Sequence, residues 1–235
     1  MVRIGNFFFH YRNGLFPIGY LTMFINGPAV FHDYRVAFFT GLIVAAAGQS
    51  LRAVTIGLDY IIRGGRNRQV YAEKLVQGGI FAHCRNPLYV GNFLILLGVG
   101  TASNSMFFLA IGIPFFLFAY WAIIAAEEAF LRNKFGDEFT AYCNRVNRLL
   151  PSFAGLNKTL EGMRFNWRRL ITAEYGTTYI WMAAIILLAL KNLWFSGEYR
   201  NYQTIAHVLW VLLLLVTVAY GIARYLKKSG KLKDD

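Results

Sequence analysis

The chain has 235 residues, of which 57% are hydrophobic and only 15% charged, and it carries a formal net charge of +12. Its apolar residues gather in long uncharged runs, which excludes an ordinary soluble domain and points to a polytopic membrane protein. Two cysteines, Cys84 and Cys143, lack CxxC spacing and imply no disulfide framework.

In chain order, the N-terminal "MVRIGNFFFHYRNG" has a three-residue apolar core and no small-residue cleavage site, so it does not read as a secretory signal. A first span is expected at residues 15–31, although Gly27 and Pro28 weaken it as a straight helix. A second covers 36–58 and carries Arg52, an intramembrane arginine that either snorkels or lines a polar cavity. Residues 87–126 contain no charge. As one helix they would measure about 60 Å against a hydrocarbon core of about 30 Å, so they form two spans joined by a turn at Ser103, Asn104 and Ser105. Further spans are expected at 175–190 and 205–223. "NWRRLITAEYG", just before the fifth, reads as an interfacial helix with Trp167 at headgroup level. The fold class is therefore all-α, a polytopic membrane helical bundle of about six spans.

Basic residues test that topology, because they concentrate in short cytoplasmic loops. Segments 1–14, 63–87, 127–172 and 224–235 hold 2, 5, 8 and 5 of them, and the opposite loops 3 in total. Both termini are expected in the cytoplasm. The positive charge then reflects topology and contact with anionic membrane lipids, with no nucleic acid as partner.

The polar side chains flank the hairpin at 87–126, whose ends return to one face, so Arg85, Asn86, Glu127 and Glu128 are expected to be neighbours. Glu127 and Glu128 end an uncharged helix where its dipole disfavours anions. Either the helix continues into water with Glu128 pairing Arg132, or a glutamate binds an ammonium group or accepts a proton. "DEFTAYCNRVNRLLP" repeats Phe139, Tyr142, Val146 and Leu149 at helical spacing, and Arg145 and Arg148, three apart, are expected to share a face. There they satisfy the helix dipole or grip a carboxylate or phosphate. Gly78 and Gly79 allow close backbone approach to a ligand. The four histidines have no metal-site spacing, and only His83 lies beside the hairpin.

"GG-x(5)-RNPLYVG", then an uncharged hairpin, then "EEAFLRNKFG" and "YCNRVNRLLP", resembles the isoprenylcysteine carboxyl methyltransferase and phospholipid methyltransferase superfamily over residues 75–152. The resemblance implies a single membrane domain, with spans and a loop in 1–74, a cofactor-binding core in 75–152, and an interfacial helix and two extra spans in 153–235. It implies S-adenosyl-L-methionine held at the cytoplasmic face and a lipid or prenylated acceptor in the bilayer. Arg85, Pro87 and Tyr89 match the first motif, Glu127 and Glu128 the second, and Tyr142, Arg145 and Arg148 the third. Asn86 replaces the family's usual histidine and cannot titrate near neutrality; His83, three residues upstream, is a substitute. By this resemblance Gly79, His83, Arg85, Asn86, Pro87, Tyr89, Glu127, Tyr142 and Arg148 bind the cofactor, and Glu128 and Arg145 serve the acceptor as base or clamp. Isoprenylcysteine carboxyl methylation, phospholipid amine methylation and small-thiol methylation remain as reactions. A non-catalytic lipid-binding module and a nicotinamide-dependent membrane reductase are the readings from other classes.

Overall fold

The computed structural model describes residues 1–58, 63–66 and 69–232. Asn67 and Arg68 of the basic loop and Lys233 of the basic tail lie outside the described residues. Among the described residues seven α-helices follow in order: α1 (Val2–Leu21), α2 (Tyr34–Leu58), α3 (Pro87–Ala102), α4 (Ile113–Arg145), α5 (Leu156–Glu161), α6 (Trp167–Phe195) and α7 (Gln203–Lys228). A small antiparallel ribbon of β1 (Arg63–Arg66) and β2 (Gln69–Ala72), not expected from composition, joins α2 to α3. The architecture is the expected polytopic helical membrane bundle. Among the described residues α2, α6, α7 and the continuous helix Phe108–Arg145 are long and apolar enough to cross a membrane, and α3 is a shorter apolar helix.

The N-terminal helix departs from the expected span at 15–31. α1 already begins at Val2, while Gly27 and Pro28 lie in a non-helical segment. The cause is local chemistry: proline supplies no amide donor, and the freed backbone groups find partners on the hairpin turn. The Val30 and Phe31 amides donate to Asn104 Oδ1 at 3.1 and 2.9 Å, and the Met106 amide donates to the Pro28 carbonyl at 2.9 Å. α1 lies antiparallel along α4, with Gly5 against Ala122 and Ala126 and Gly19 against Phe116. A Cβ at Gly5 would stand 1.9 Å from the Ala122 carbonyl oxygen, so only glycine permits this approach.

The hairpin turns where Ser103, Asn104 and Ser105 predicted, with Asn104 in the left-handed region at φ 52°. A wide π turn at Phe108–Gly112 precedes α4 and absorbs the hydrogen bond that Pro114 cannot make. α4 breaks at Gly136 (φ 52°, ψ −123°), which separates its crossing portion from residues 137–145.

α2 and α3 meet through small residues, as membrane helices do when close backbone approach replaces a hydrophobic driving force. A Cβ at Gly98 would stand 2.4 Å from the Ala45 amide nitrogen and 2.5 Å from the Gly41 carbonyl oxygen. Gly98→Val is therefore expected to force these helices apart and lower stability by roughly 1–3 kcal/mol. A depressed thermal unfolding midpoint in detergent would show it; an unchanged midpoint would mean that the contact is soft.

α6 starts well before the expected 175 and absorbs "NWRRLITAEYG" into one continuous helix. Its first turn is tied to the end of α2: the Asn166 amide donates to the Gly57 carbonyl at 2.7 Å, and the Arg169 guanidinium donates to the Ile56 and Gly57 carbonyls at 2.7 and 2.8 Å. α7 packs on α6 and is otherwise largely exposed. At its end Lys227 Nζ donates to the Thr172 carbonyl at 2.7 Å. The start of α1 and the end of α7 thus lie at the face where the α3–α4 hairpin opens.

Candidate active site

Asn86 stands at the N-cap of α3 and Pro87 in its first turn, where a fixed φ and a missing amide are no disadvantage. Upstream, Gly79 takes φ 59° in a tight 3-10 turn, a conformation that favours glycine. This turn is stitched to the chain leaving α4. The Arg85 amide donates to the Asn147 carbonyl at 3.0 Å, the Ser152 amide to the His83 carbonyl at 2.9 Å, and Asn86 Nδ2 to the Arg148 carbonyl at 3.1 Å. Cys84 lies beneath, its thiol 3.7 and 3.6 Å from the Arg148 and Leu149 carbonyls, and burial pushes its pKa up.

The stitching separates two arginines that were expected to share a face. α4 ends at Arg145, Val146 is extended, and the chain swings Arg148 back toward the hairpin. Arg148 Nε donates to Glu128 Oε1 at 3.1 Å, and its Nη2 bonds Glu128 Oε2. Arg85 Nη2 lies 3.4 Å from Glu128 Oε1, and Asn86 Nδ2 lies 3.5 Å from the same oxygen. Glu128, only 4% exposed, is thus held by three side chains rather than by Arg132 one turn on. Two guanidiniums, those of Arg85 and Arg148, thus stand around one carboxylate at the hairpin mouth. Arg145 instead donates to Gln77 Oε1 at 2.9 Å on the exposed surface.

Glu127, the preceding residue, is rotated by about 100° around the helix and faces elsewhere. Its Oε1 accepts from the Tyr89 hydroxyl at 2.8 Å. Glu127, Tyr89, Asn86 and Pro87 line a cavity of about 750 Å³ enclosed by α1, α2, α3, α4 and α6. One part of its wall is polar, with Arg12, Asn13, Arg52, Asn86, Asn92 and Glu127; the remainder is apolar, with Phe16, Met23, Phe24, Leu96, Val99 and Trp181. Asn86 Oδ1 has no hydrogen-bond partner among the described residues although Asn86 is only 3% exposed.

Three other sequence candidates brace the surroundings of the cavity. His83 Nδ1 donates to the Ser152 carbonyl at 2.9 Å, and its Nε2 faces the Thr159 hydroxyl at 2.9 Å, which ties α5 to the loop. Tyr142 is buried beside Leu131 and Phe139, with its hydroxyl donating to the Phe81 carbonyl at 2.7 Å. Gly79 shapes the same loop.

Sequence reasoning missed a network inside the membrane. Arg52 Nε donates to Glu174 Oε2 at 2.8 Å, and its Nη1 donates to Asn92 Oδ1 at 2.6 Å and to the Leu88 carbonyl at 3.2 Å. Gln49 Nε2 donates to Glu174 Oε2 at 3.3 Å, and Trp181 Nε1 donates to Gln49 Oε1 at 2.9 Å. The signal was an arginine inside one span and a glutamate one residue before another, each needing a partner in lipid. Arg12 was likewise passed over, as part of an N-terminal flank.

Residues 36–138 match the phospholipid methyltransferase family, which takes in α2, α3 and the crossing part of α4. The cobalt-zinc-cadmium resistance protein CzcN of Cupriavidus metallidurans is 38% identical over 77 residues, 33% of this chain and 35% of that protein. The nickel-cobalt-cadmium resistance protein NccN of Alcaligenes xylosoxydans xylosoxydans is 36% identical over 80 residues, 34% of this chain and 37% of that protein. A protein-S-isoprenylcysteine O-methyltransferase of Schizosaccharomyces pombe is 31% identical over 113 residues, 44% of this chain and 45% of that protein. The matched stretches thus span between about a third and a half of the length of these relatives. No solved structure matches. The resemblance to the isoprenylcysteine and phospholipid methyltransferase superfamily, drawn above from three motifs, is borne out by the family match and the Schizosaccharomyces relative.

Proposed function

We propose that the protein is an integral-membrane methyltransferase that takes its methyl group from S-adenosyl-L-methionine and delivers it to an acceptor lying in the bilayer. The observation that carries this reading is a cavity whose wall carries polar side chains near the hairpin mouth and a large apolar share beside them. Such a shape serves a charged soluble donor at one end and a lipid acceptor at the other. The basic segments around the mouth support a cytosolic orientation for that end.

The residues present fit the donor. Its ammonium requires an anion, which Glu127 supplies on the cavity wall. Its carboxylate requires a cation, and Arg85 and Arg148 are the cations beside Asn86 at the hairpin mouth. Tyr89 and Pro87 give apolar surface for the adenosine, and Gly79, His83 and Tyr142 hold the loop that positions Asn86. When bound, the donor supplies an electrophilic methyl carried on a sulfonium.

A carboxylate acceptor such as an isoprenylcysteine is ionised already, so the protein has only to desolvate it and aim it. Glu128 is enclosed by three donors and does not line the cavity, which supports chemistry without a base. A phospholipid amine is the second reading, favoured by the family match over 36–138. It requires a base, and Glu127 is the carboxylate on the cavity wall.

Saturable binding of S-adenosyl-L-methionine by calorimetry tests the donor. Glu127→Gln is expected to weaken that binding by roughly ten- to a hundredfold, the loss of about 1.5–3 kcal/mol for a hydrogen bond to a charged group. Absence of any saturable binding to the unmodified protein would end this reading. Incubation with methyl-labelled donor and a total lipid extract then separates an ester product from a methylated amine.

A further inference from the structure

Away from the cavity, α6 and α7 meet along two matched stripes at the face where the α3–α4 hairpin opens. Arg168, Thr172, Tyr175 and Tyr179 recur every three to four residues on α6, and Tyr220, Arg224 and Lys227 do the same on α7. The Tyr220 ring stacks on Tyr175 at 5.4 Å between centroids and lies 4.5 Å from Tyr179. One turn nearer the surface, Arg224 Nη1 donates to the Tyr220 hydroxyl at 3.2 Å. Lys227 Nζ stands 5.1 Å from the centroid of Tyr175 while bonding the Thr172 carbonyl. Arg168 lies one turn beyond Thr172 on the same stripe and is exposed, as are Arg224 and Lys227. Three cations thus crowd one end of the seam above a floor of tyrosine rings. α7 contains no acidic residue, and Glu174, the one acid of α6, is held by Arg52. None of the three cations forms an ion pair among the described residues.

Depth decides which anion fits this cluster. Trp167, exposed beside Arg168, is an aromatic of the kind that settles at the membrane–water boundary, so the cations stand at headgroup level. Below Arg224 the same stripe of α7 runs on through Gly221, Thr217, Leu214 and Trp210, all exposed, and the space around Gly221 is open. Like charges held together at a membrane surface repel one another unless an anion lies among them. We propose that the seam of α6 and α7 binds the phosphate of one anionic phospholipid from the leaflet on the hairpin-mouth side. Arg168, Arg224 and Lys227 surround its headgroup, guanidinium forks suiting phosphate oxygens, and an acyl chain runs over Gly221 toward Trp210. The lipid clamps α7 to the start of α6, the helix that carries Glu174 and Trp181 inward. None of the headgroup residues lines the cavity, so this lipid is a fixed neighbour of the protein and not a methyl acceptor.

The test titrates the full chain in a neutral detergent with fluorescent phosphatidylglycerol, without S-adenosyl-L-methionine, because this site does not depend on methyl transfer. Phosphatidylcholine and glycerol 3-phosphate serve as competitors. Saturable binding is expected, with phosphatidylcholine at least about tenfold weaker. Glycerol 3-phosphate, which has the phosphate without the chains, should not compete. Arg168→Gln with Arg224→Gln removes two cations and leaves the Lys227 bond to Thr172 in place. This pair should weaken phosphatidylglycerol binding by roughly 25-fold, a factor of about five for each cation. Arg168→Lys with Arg224→Lys should keep most of the affinity. Arg3→Gln with Lys74→Gln removes the same charge from exposed positions elsewhere and should leave binding unchanged. Undiminished binding in the seam pair, or an equal loss in both glutamine pairs, would overturn the proposal and leave only diffuse attraction to a basic surface. Equal binding of the two phospholipids, or displacement by glycerol 3-phosphate, would overturn it as well, the second by making the seam a site for a soluble phosphate.

Discussion

Glu128→Ala is expected to be among the most damaging single substitutions in the hairpin mouth, through loss of structure before any loss of chemistry. The carboxylate is nearly inaccessible and is gripped by Arg148 through two nitrogens, with Arg85 and Asn86 completing its surroundings. Removing it leaves two guanidiniums close together with no anion between them. Breaking a buried pair in this way costs about 3–5 kcal/mol, and because the Arg148 side chain is 32% exposed the lower end applies, about 3 kcal/mol. The substitution also releases the return strand that carries the Arg148 carbonyl to Asn86, so affinity for S-adenosyl-L-methionine should fall with stability. Arg148→Ala should cost less, since Arg85 remains to neutralise Glu128. A thermal unfolding series in detergent measures the order. Equal midpoints for Glu128→Ala and the unmodified protein would show that the charge cluster carries no stability.

What could be read from the sequence was what depends on spacing along one helix. An uncharged run too long for one crossing has to fold back, and so Arg85 and Asn86 had to meet Glu128, as they do. What could not be read depends on where a helix stops or what lies across the bundle. Arg145 and Arg148 share a face only if the helix continues, and the extended Val146 sends them to different surroundings. The helix at 15–31 failed for a related reason: Gly27 and Pro28 satisfy their neighbourhood through Asn104, some 75 residues away in sequence, and no local pattern reports that pairing. The C-terminal spans looked like an appendage because they lie beyond the three motifs. In the folded chain α6 supplies Thr177, Ile180, Trp181 and Ala184 to the cavity wall.

That dependence on α6 is sharpest at Glu174. Its carboxylate accepts from two nitrogens of Arg52 in the interior of the bundle, where their side chains are 4% and 11% exposed. Glu174→Ala would strand a buried guanidinium in a membrane interior and is expected to cost about 3–5 kcal/mol, a large part of the stability of most domains. Replacing both partners by apolar residues, Arg52→Met with Glu174→Leu, should recover most of the thermal midpoint, because a well-packed apolar pair often equals or exceeds a buried ion pair. Function should not recover with it. Arg52 also donates to Asn92 and to the Leu88 carbonyl, in the first turns of the helix that presents Asn86 and Tyr89 to the cavity. The doubly substituted protein loses those bonds whatever its stability. The expected pattern is thus a single variant with a low midpoint and a double variant with a restored midpoint but weakened affinity for S-adenosyl-L-methionine. If the double variant binds the donor as tightly as the unmodified protein, the ion pair is a structural clasp between α2 and α6, and Arg52 has no part in positioning the start of α3.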